Sequence, residues 1–305
     1  MKFIAGTRGS ALALWQTRHV ASLLAAQSVE VEERIITTQG DVSQAARLQG
    51  KLEKGFFTKE LEAALHAKEI DWAVHSLKDL PTRMPEGLVL GAVLQRAPAA
   101  DLLLVRRDAI DESKPLHVKD GARIGSSSLR RESLLKHFAP SVKSEPLRGN
   151  VPTRVQKLAD GLYDAIVLAE AGVTRLQLEL SAFVVLRLNP RRWPCAPGQG
   201  AVAVQCRADD DRVLPVLAKL NHSTTAAATG LERDFLRIIE GGCTTPFGCF
   251  IADASATLGL STDAGWRSLH VQIPASVEVA WLNARLGELN TAPLENGHDW
   301  LVERL

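Results

Sequence analysis

The sequence predicts an α/β fold of two lobes followed by a small α+β C-terminal domain, and three observations predict it. Through residue 215, short apolar runs alternate with stretches whose apolar positions recur every three or four residues. That alternation implies mainly parallel sheets covered by helices. Two proline-marked breaks, Leu94–Ala100 and Asn189–Gly200, interrupt it and fit a chain that crosses into a second lobe and returns. Beyond about residue 216 the pattern changes to closely spaced strand-like runs, which fit an antiparallel meander.

Taken in order, Phe3–Ala5, Val29–Ile36, Trp72–Val74 and Leu88–Leu94 read as strands, and Ala11–Ala26 and Phe56–Ala67 as helices. Between the last two helices, Gln39–Gly55 is polar and weakly periodic and is expected to be a mobile lid. Asp101–Val105 follows the first break. Arg123–Gly125 leads through Ser126-Ser127-Ser128, natural N-caps, into a helix over Leu129–Phe138. Asn150–Ala159 and Glu170–Leu176 read as helices around a strand at Asp164–Leu168, and Ala201–Gln205 is the strand after the second break. Phe247–Asp253, Ala256–Thr262 and Leu269–Ile273 form the meander, followed by helix. The domain boundaries expected are 1–97 with 198–215 for the first lobe, 98–197 for the second and 216–305 for the C-terminal domain.

Composition narrows the function. The 305 residues are 46% hydrophobic and 23% charged with a net charge of +1. No run approaches the roughly 20 apolar residues of a membrane span. The segment Met1–Arg8 lacks the apolar core of a signal peptide, and four cysteines are too few for a disulfide scaffold. A cytoplasmic protein is expected, with no membrane or nucleic-acid partner, and nothing demands an oligomer, so a monomer is expected. None of the cysteines makes a C-x-x-C pair, so no metal site is expected. Residues 216–305 carry 6 Lys/Arg against 10 Asp/Glu, leaving 30 against 25 in residues 1–215. The basic excess is too thin for a nucleic-acid stripe and suits a smaller polyanion.

Four groups of residues could carry chemistry. Cys243, in Gly241-Gly242-Cys243-Thr244-Thr245-Pro246, follows the amphipathic stretch Leu231–Glu240 and reads as a thiol displayed on a turn. It suits a nucleophile or a permanent attachment point, although a thiol at a helix end is more often a small buried apolar residue. In Val74–Pro81 an apolar strand ends in Ser76, Lys78 and Asp79. Strand carboxyl ends are where α/β sites are built. A carboxylate there can stabilise a developing cation or shuttle a proton, or merely cap a turn. His75 reads as a satisfied core histidine. Arg8, Arg130, Arg131, Arg148, Arg154 and Arg175 cluster at loop–helix junctions; those at helix starts oppose the helix dipole and so imply an added anion, while Arg175 ends the Ala171–Leu176 stretch. Pro197-Gly198-Gln199-Gly200 is a backbone turn without the lysine of a phosphate loop.

The motifs Thr7–Gln16, Lys54–Glu62, Val74–Pro81, Ile124–Arg131, Leu147–Val151, Pro197–Ala201 and Gly241–Cys243 occur in one order. Together they resemble the hydroxymethylbilane synthase (porphobilinogen deaminase) family over roughly residues 1–250. The resemblance implies two periplasmic-binding-protein-like lobes with mixed sheets. It also implies a dipyrromethane cofactor, attached by a thioether to Cys243. Four porphobilinogen molecules would be added to that primer, each losing ammonia to form an electrophilic azafulvene, before water releases hydroxymethylbilane. By motif match, Asp79 would be catalytic. Arg8, Ser10, Lys54, Lys78, Ser126, Ser128, Arg130, Arg131, Arg148, Arg154, Arg175 and Gln199 would bind the acetate and propionate groups of cofactor and substrate. The chain departs from the usual family residues at Cys195, Thr244-Thr245, Phe247 and Cys249. A rival from another class is a non-catalytic anion-binding protein, which would explain the arginines but not Asp79 together with Cys243.

Overall fold

A computed structural model describes residues 2–38, 58–239, 246–294 and 301–305. Lys54, Cys243 and the expected lid Gln39–Gly55 lie outside the described residues. The chain divides into two compact units: Met1–Ala97 with Gly200–Gly230, and Pro98–Gln199 with Leu231–Leu305.

The first unit is built on a five-stranded sheet. Its strands are β1 (Lys2–Thr7), β2 (Glu30–Ile35), β3 (Trp72–Ser76), β4 (Leu88–Val93) and β10 (Val202–Arg207), in the order β2-β1-β3-β10-β4. β1 runs parallel to β2 and β3, whereas β10 lies antiparallel to both β3 and β4. The sheet is therefore mixed, as the family resemblance implies, where the alternation alone suggested a mainly parallel one. Alternation of strand and helix does not reveal the direction in which the returning chain re-enters a sheet.

Helix α1 (Ala11–Ala25) starts where Ser10 accepts a bond from the Ala13 amide, at 3.3 Å. Its Ala13, Thr17, Val20 and Leu24 recur every three or four residues and are buried. Val20 and Leu24 pack with Phe3, Trp72, Val74 and Val204. A second helix, α2 (Lys59–His66), buries Leu61, Ala64 and Leu65 beside Ile70 and Ala73. Burying one such leucine stabilises the fold by about 2 kcal/mol. His75 is buried as expected and bonded to Gln205, with Nε2 and Oε1 3.1 Å apart.

The second unit contains a six-stranded sheet of β5 (Asp101–Arg106), β6 (Arg123–Gly125), β7 (Lys143–Glu145), β8 (Ala165–Ala169), β9 (Phe183–Leu188) and β14 (Val302–Arg304). Their order is β14-β9-β5-β8-β6-β7. β6, β7 and β8 are parallel, and β5 is antiparallel to β8 and β9. The helices α3 (Leu129–Phe138), α4 (Val151–Ala159) and α5 (Glu170–Arg175) follow β6, β7 and β8 respectively. Both sheets are thus mixed within an α/β fold.

A short helix α6 (Leu214–Ala218) precedes α7 (Ser223–Ile238). The meander then forms an antiparallel sheet of β11 (Phe247–Ala252), β12 (Ser255–Thr262) and β13 (Gly265–Gln272). Asp253 and Ala254, with φ of 51° and 55°, make the tight turn between β11 and β12. Trp266 of β13 joins Leu134, Phe138 and Trp193 in one hydrophobic cluster. Helix α8 (Val279–Thr291) follows, and Trp281 lies 5.9 Å from Phe235 between ring centroids. No described helix is long and apolar enough to cross a membrane.

Candidate active site

Sheet direction decides where the polar motifs fall. Because β1 and β3 are parallel neighbours, the segments that follow them leave at one edge of the sheet. Arg8 and Ser10 follow β1, and Lys78 and Asp79 follow β3. Leu77–Asp79 forms a single turn of 3-10 helix, pinned by the bond from the Leu77 amide to the Ala201 carbonyl at 3.0 Å. Leu77 and Leu80 sink into a cluster with Val93, Ala201 and Ala203, leaving Asp79 exposed and Lys78 half-buried between them. Two apolar anchors thus present a lysine and a carboxylate on a rigid mount. Gln16 of α1, itself buried, donates to Ser76 Oγ at 2.8 Å and braces the end of β3.

In the second unit the parallel strands β6, β7 and β8 deliver Ser126–Arg131, Arg148–Arg154 and Glu170–Arg175 to one sheet edge. β5 runs the other way, so its first residue, Asp101, reaches that same edge opposite Ala169. There the Asp101 carboxylate accepts bonds from Arg130 Nη2 at 2.9 Å and Arg131 Nη2 at 2.6 Å. It also accepts from Trp193 Nε1 at 3.0 Å and Gln199 Nε2 at 2.9 Å. Burial alone would push this carboxyl group up. The two guanidinium charges and the hydrogen bonds outweigh it and hold Asp101 well below the usual carboxylate range.

This cluster revises the reasoning behind two expectations. The arginine pair at the start of α3 does require an anion, but the chain supplies one itself, from β5. Arg130 also donates to the Pro194 carbonyl and Arg131 to the Val167 carbonyl, and both side chains are buried. Gln199 spends its amide hydrogens on Asp101 and the Ala99 carbonyl, at 2.7 Å for the latter. Arg130 Nε is buried with no partner among the described residues, the one nitrogen of the pair so placed. Ser128 occupies the N-cap of α3, yet its hydroxyl makes no capping bond. Ser126, buried, instead accepts a bond from the Ser128 amide at 3.3 Å.

Arg148 is exposed, while Arg154 is held by the bond from its Nε to the Gly149 carbonyl at 2.7 Å. Burial lowers the Arg175 guanidinium to about 10. A cation stripped of water in this way is stabilised by an anionic neighbour. Sequence reasoning missed Asp101, Trp193 and Gln16. An acidic residue opening a wholly apolar strand was the available signal for Asp101, since a buried carboxylate needs counter-charges. Among the described residues no cluster of His, Cys, Asp or Glu could hold a metal ion. The described cysteines, Cys195, Cys206 and Cys249, are all buried, and burial raises the Cys206 thiol to about 11.

Fold and site define an α/β protein in which the strand ends of each unit carry cations, those of the first unit also carrying the exposed Asp79. Residues 3–215 match the family model for porphobilinogen deaminase, dipyromethane cofactor binding domain. The porphobilinogen deaminase of Desulforamulus reducens is 46% identical over 81% of this chain and 79% of its own length. The probable porphobilinogen deaminase of Methanocaldococcus jannaschii is 46% identical over 80% of each chain. Among solved structures, the periplasmic VFT2 domain of Bordetella pertussis BvgS aligns with a TM-score of 0.43 and 14% identity, across 76% of this chain and 92% of that one. The chain belongs to the porphobilinogen deaminase family, transferases of tetrapyrrole biosynthesis with a dipyrromethane-binding domain.

Proposed function

We propose that this protein is a hydroxymethylbilane synthase that adds four porphobilinogen molecules to a dipyrromethane held by a thioether to Cys243. The observation that carries the reading is the turn Leu77–Leu80, which displays Lys78 and Asp79 in a chain of this family. The burial of Cys195, Cys206 and Cys249 supports Cys243 as the attachment point.

The residues present fit such a group. Its rings carry acetate and propionate, and the orphaned Arg130 Nε and the partly desolvated Arg175 favour carboxylates. When bound, the dipyrromethane supplies the pyrrole carbon to which substrate units are joined. Arg8, Ser10, Lys54, Lys78, Ser126, Ser128, Arg130, Arg131, Arg148, Arg154 and Arg175 bind the carboxylates of cofactor and substrate in this reading. Gln199 contributes to that binding by ordering Asp101, the carboxylate that sets the framework of Arg130 and Arg131. Loss of ammonia from porphobilinogen leaves positive charge on its pyrrole ring. Asp79 stabilises that charge through its carboxylate and relays the proton at the ring nitrogen. The leucine-anchored turn fixes the backbone from which the Asp79 carboxylate projects.

The reading includes three domains, 1–97 with 198–215, 98–197 and 216–305, the last having its own three-stranded sheet. It also includes a cytoplasmic, monomeric enzyme. The test is Asp79→Asn. The variant should keep a covalent adduct by intact mass while kcat falls about 100-fold or more. A rate within a few-fold of the parent would refute the role given to Asp79.

A further inference from the structure

Glu232 is a fully buried carboxylate that the proposed reaction does not use. It sits on α7 three residues before the fully buried Phe235, on the face that packs inward. Its two oxygen atoms serve different parts of the chain. Oε2 accepts the Gly198 amide at 2.7 Å, and Oε1 accepts the Ile251 amide at 2.9 Å. Ile251 belongs to β11, one of the two outer strands of the meander, along whose outer edge the Cys249 amide donates to the Cys195 carbonyl at 2.8 Å. In sequence, Cys243 lies between these two attachment points, after Glu232 and before Ile251. One carboxylate therefore ties the helix that leads into the thiol segment to the strand that leads out of it.

The third partner extends the tie. Ala196–Gln199 is a tight turn closed by the bond from the Gln199 amide to the Ala196 carbonyl at 2.9 Å. Gly198 stands at φ 75°, which only glycine adopts at little cost. Gly198 donates to Glu232, and the next residue, Gln199, donates to Asp101 and so to the Arg130–Arg131 pair. Consecutive residues of one turn thus grip two buried carboxylates. Hydrogen bonds to ionised acceptors are the stronger kind, and they hold geometry best in a water-free interior.

We propose that Glu232 is a positioning residue for cofactor attachment, fixing the chain on both sides of Cys243 relative to the turn that holds the arginine cluster. The proposal rests on the reading of Cys243 as the attachment thiol. Its consequence is kinetic: a thiol on a segment with unfixed ends meets its electrophile in the right geometry less often.

The test uses full-length apoprotein from cells that make no porphobilinogen. Porphobilinogen is added and the adduct is followed by intact mass, at a temperature where circular dichroism shows every variant folded. Glu232→Gln sets an amide donor against one of the two backbone N–H groups, and attachment should slow about tenfold or more. Glu232→Asp keeps both acceptors on a shorter arm and should recover part of that loss. Attachment by folded Glu232→Gln within twofold of the parent rate would overturn the proposal. Should Glu232→Gln fail to fold, Glu232→Asp, whose shorter arm lengthens both bonds, should still attach the primer measurably more slowly than the parent, and attachment at the parent rate would overturn the proposal. A parent protein that gains no adduct, or Cys243→Ser that gains one, would instead sink the reading of Cys243.

Discussion

Asp101 organises more of this protein than any residue its sequence advertises. Two guanidinium groups, an indole and an amide converge on one carboxylate that is wholly buried. Removing one member of such a cluster leaves the others buried and uncompensated, so the loss exceeds the worth of the bonds themselves. Asp101→Asn should destabilise the protein by about 3–5 kcal/mol, measured as the shift in its urea unfolding curve. A loss below about 1 kcal/mol would show the arginines content without their counter-charge. Why Asp101 escapes the sequence is plain. It precedes Leu-Leu-Leu-Val, where it looks like the polar start of a strand, and its partners lie far along the chain. Arg130 and Arg131 were legible as cations in need of an anion, but which anion depends on the reversed direction of β5. The turn that displays Asp79 after β3 was legible because its surroundings are local: a strand, a turn and a proline within eight residues.

At the scale of elements, the sequence was most readable where caps and periodicity agree. Ser10 begins α1 with the capping bond its residue type suggests. Asn150 begins α4, accepting from the Thr153 amide at 2.9 Å and from the Thr153 hydroxyl at 2.7 Å. Gly149 before it stands at φ 118°, where an added Cβ would come within 2.9 Å of Thr153. This start carries Arg148 and Arg154, so its local order bears on binding. Asn150→Ala should cost about 1 kcal/mol in unfolding free energy and raise KM for porphobilinogen more than it lowers kcat. An unchanged KM would separate the cap from substrate binding. Less readable were β7 and β14, three-residue strands at the edges of their sheet that expose polar side chains and carry no apolar run. β9 has strand composition, but both of its partners are remote in sequence, so nothing local announces its pairing. The Ser126–Ser128 caps show a limit of another kind. Residue type placed Ser128 at the helix start correctly, yet its hydroxyl caps no helix amide, and the bond formed there runs from the Ser128 amide to the Ser126 hydroxyl.

For the whole molecule, alternation of strand and helix gave the α/β class and the changed pattern near the end gave the antiparallel meander. The mixed direction of both large sheets was not in the periodicity, because strand order and sense come from long-range pairing. Folding also buries His75 in its neutral form. Burial, helped by the charge of Arg8 and opposed by the bond to Gln205, lowers the imidazole from 6.5 to about 4. Between those values the unfolded chain binds the extra proton and the folded protein does not. Stability is therefore fully present above about pH 6.5 and is lost as pH falls toward 4, by about 3 kcal/mol from this group. His75→Gln should flatten that acid limb in melting curves of the apoprotein between pH 4 and 7. An equally steep limb in the variant would assign the proton uptake elsewhere.

The claim on which the account turns is that Cys243 holds the primer on which the catalytic cycle works. Intact-protein mass spectrometry of enzyme purified from porphobilinogen-producing cells measures this directly. The account predicts an added mass equal to two deaminated porphobilinogen units, present in the parent, retained in Asp79→Asn and absent from Cys243→Ser. A parent protein of unmodified mass that still makes hydroxymethylbilane, or an adduct that persists in Cys243→Ser, would contradict it.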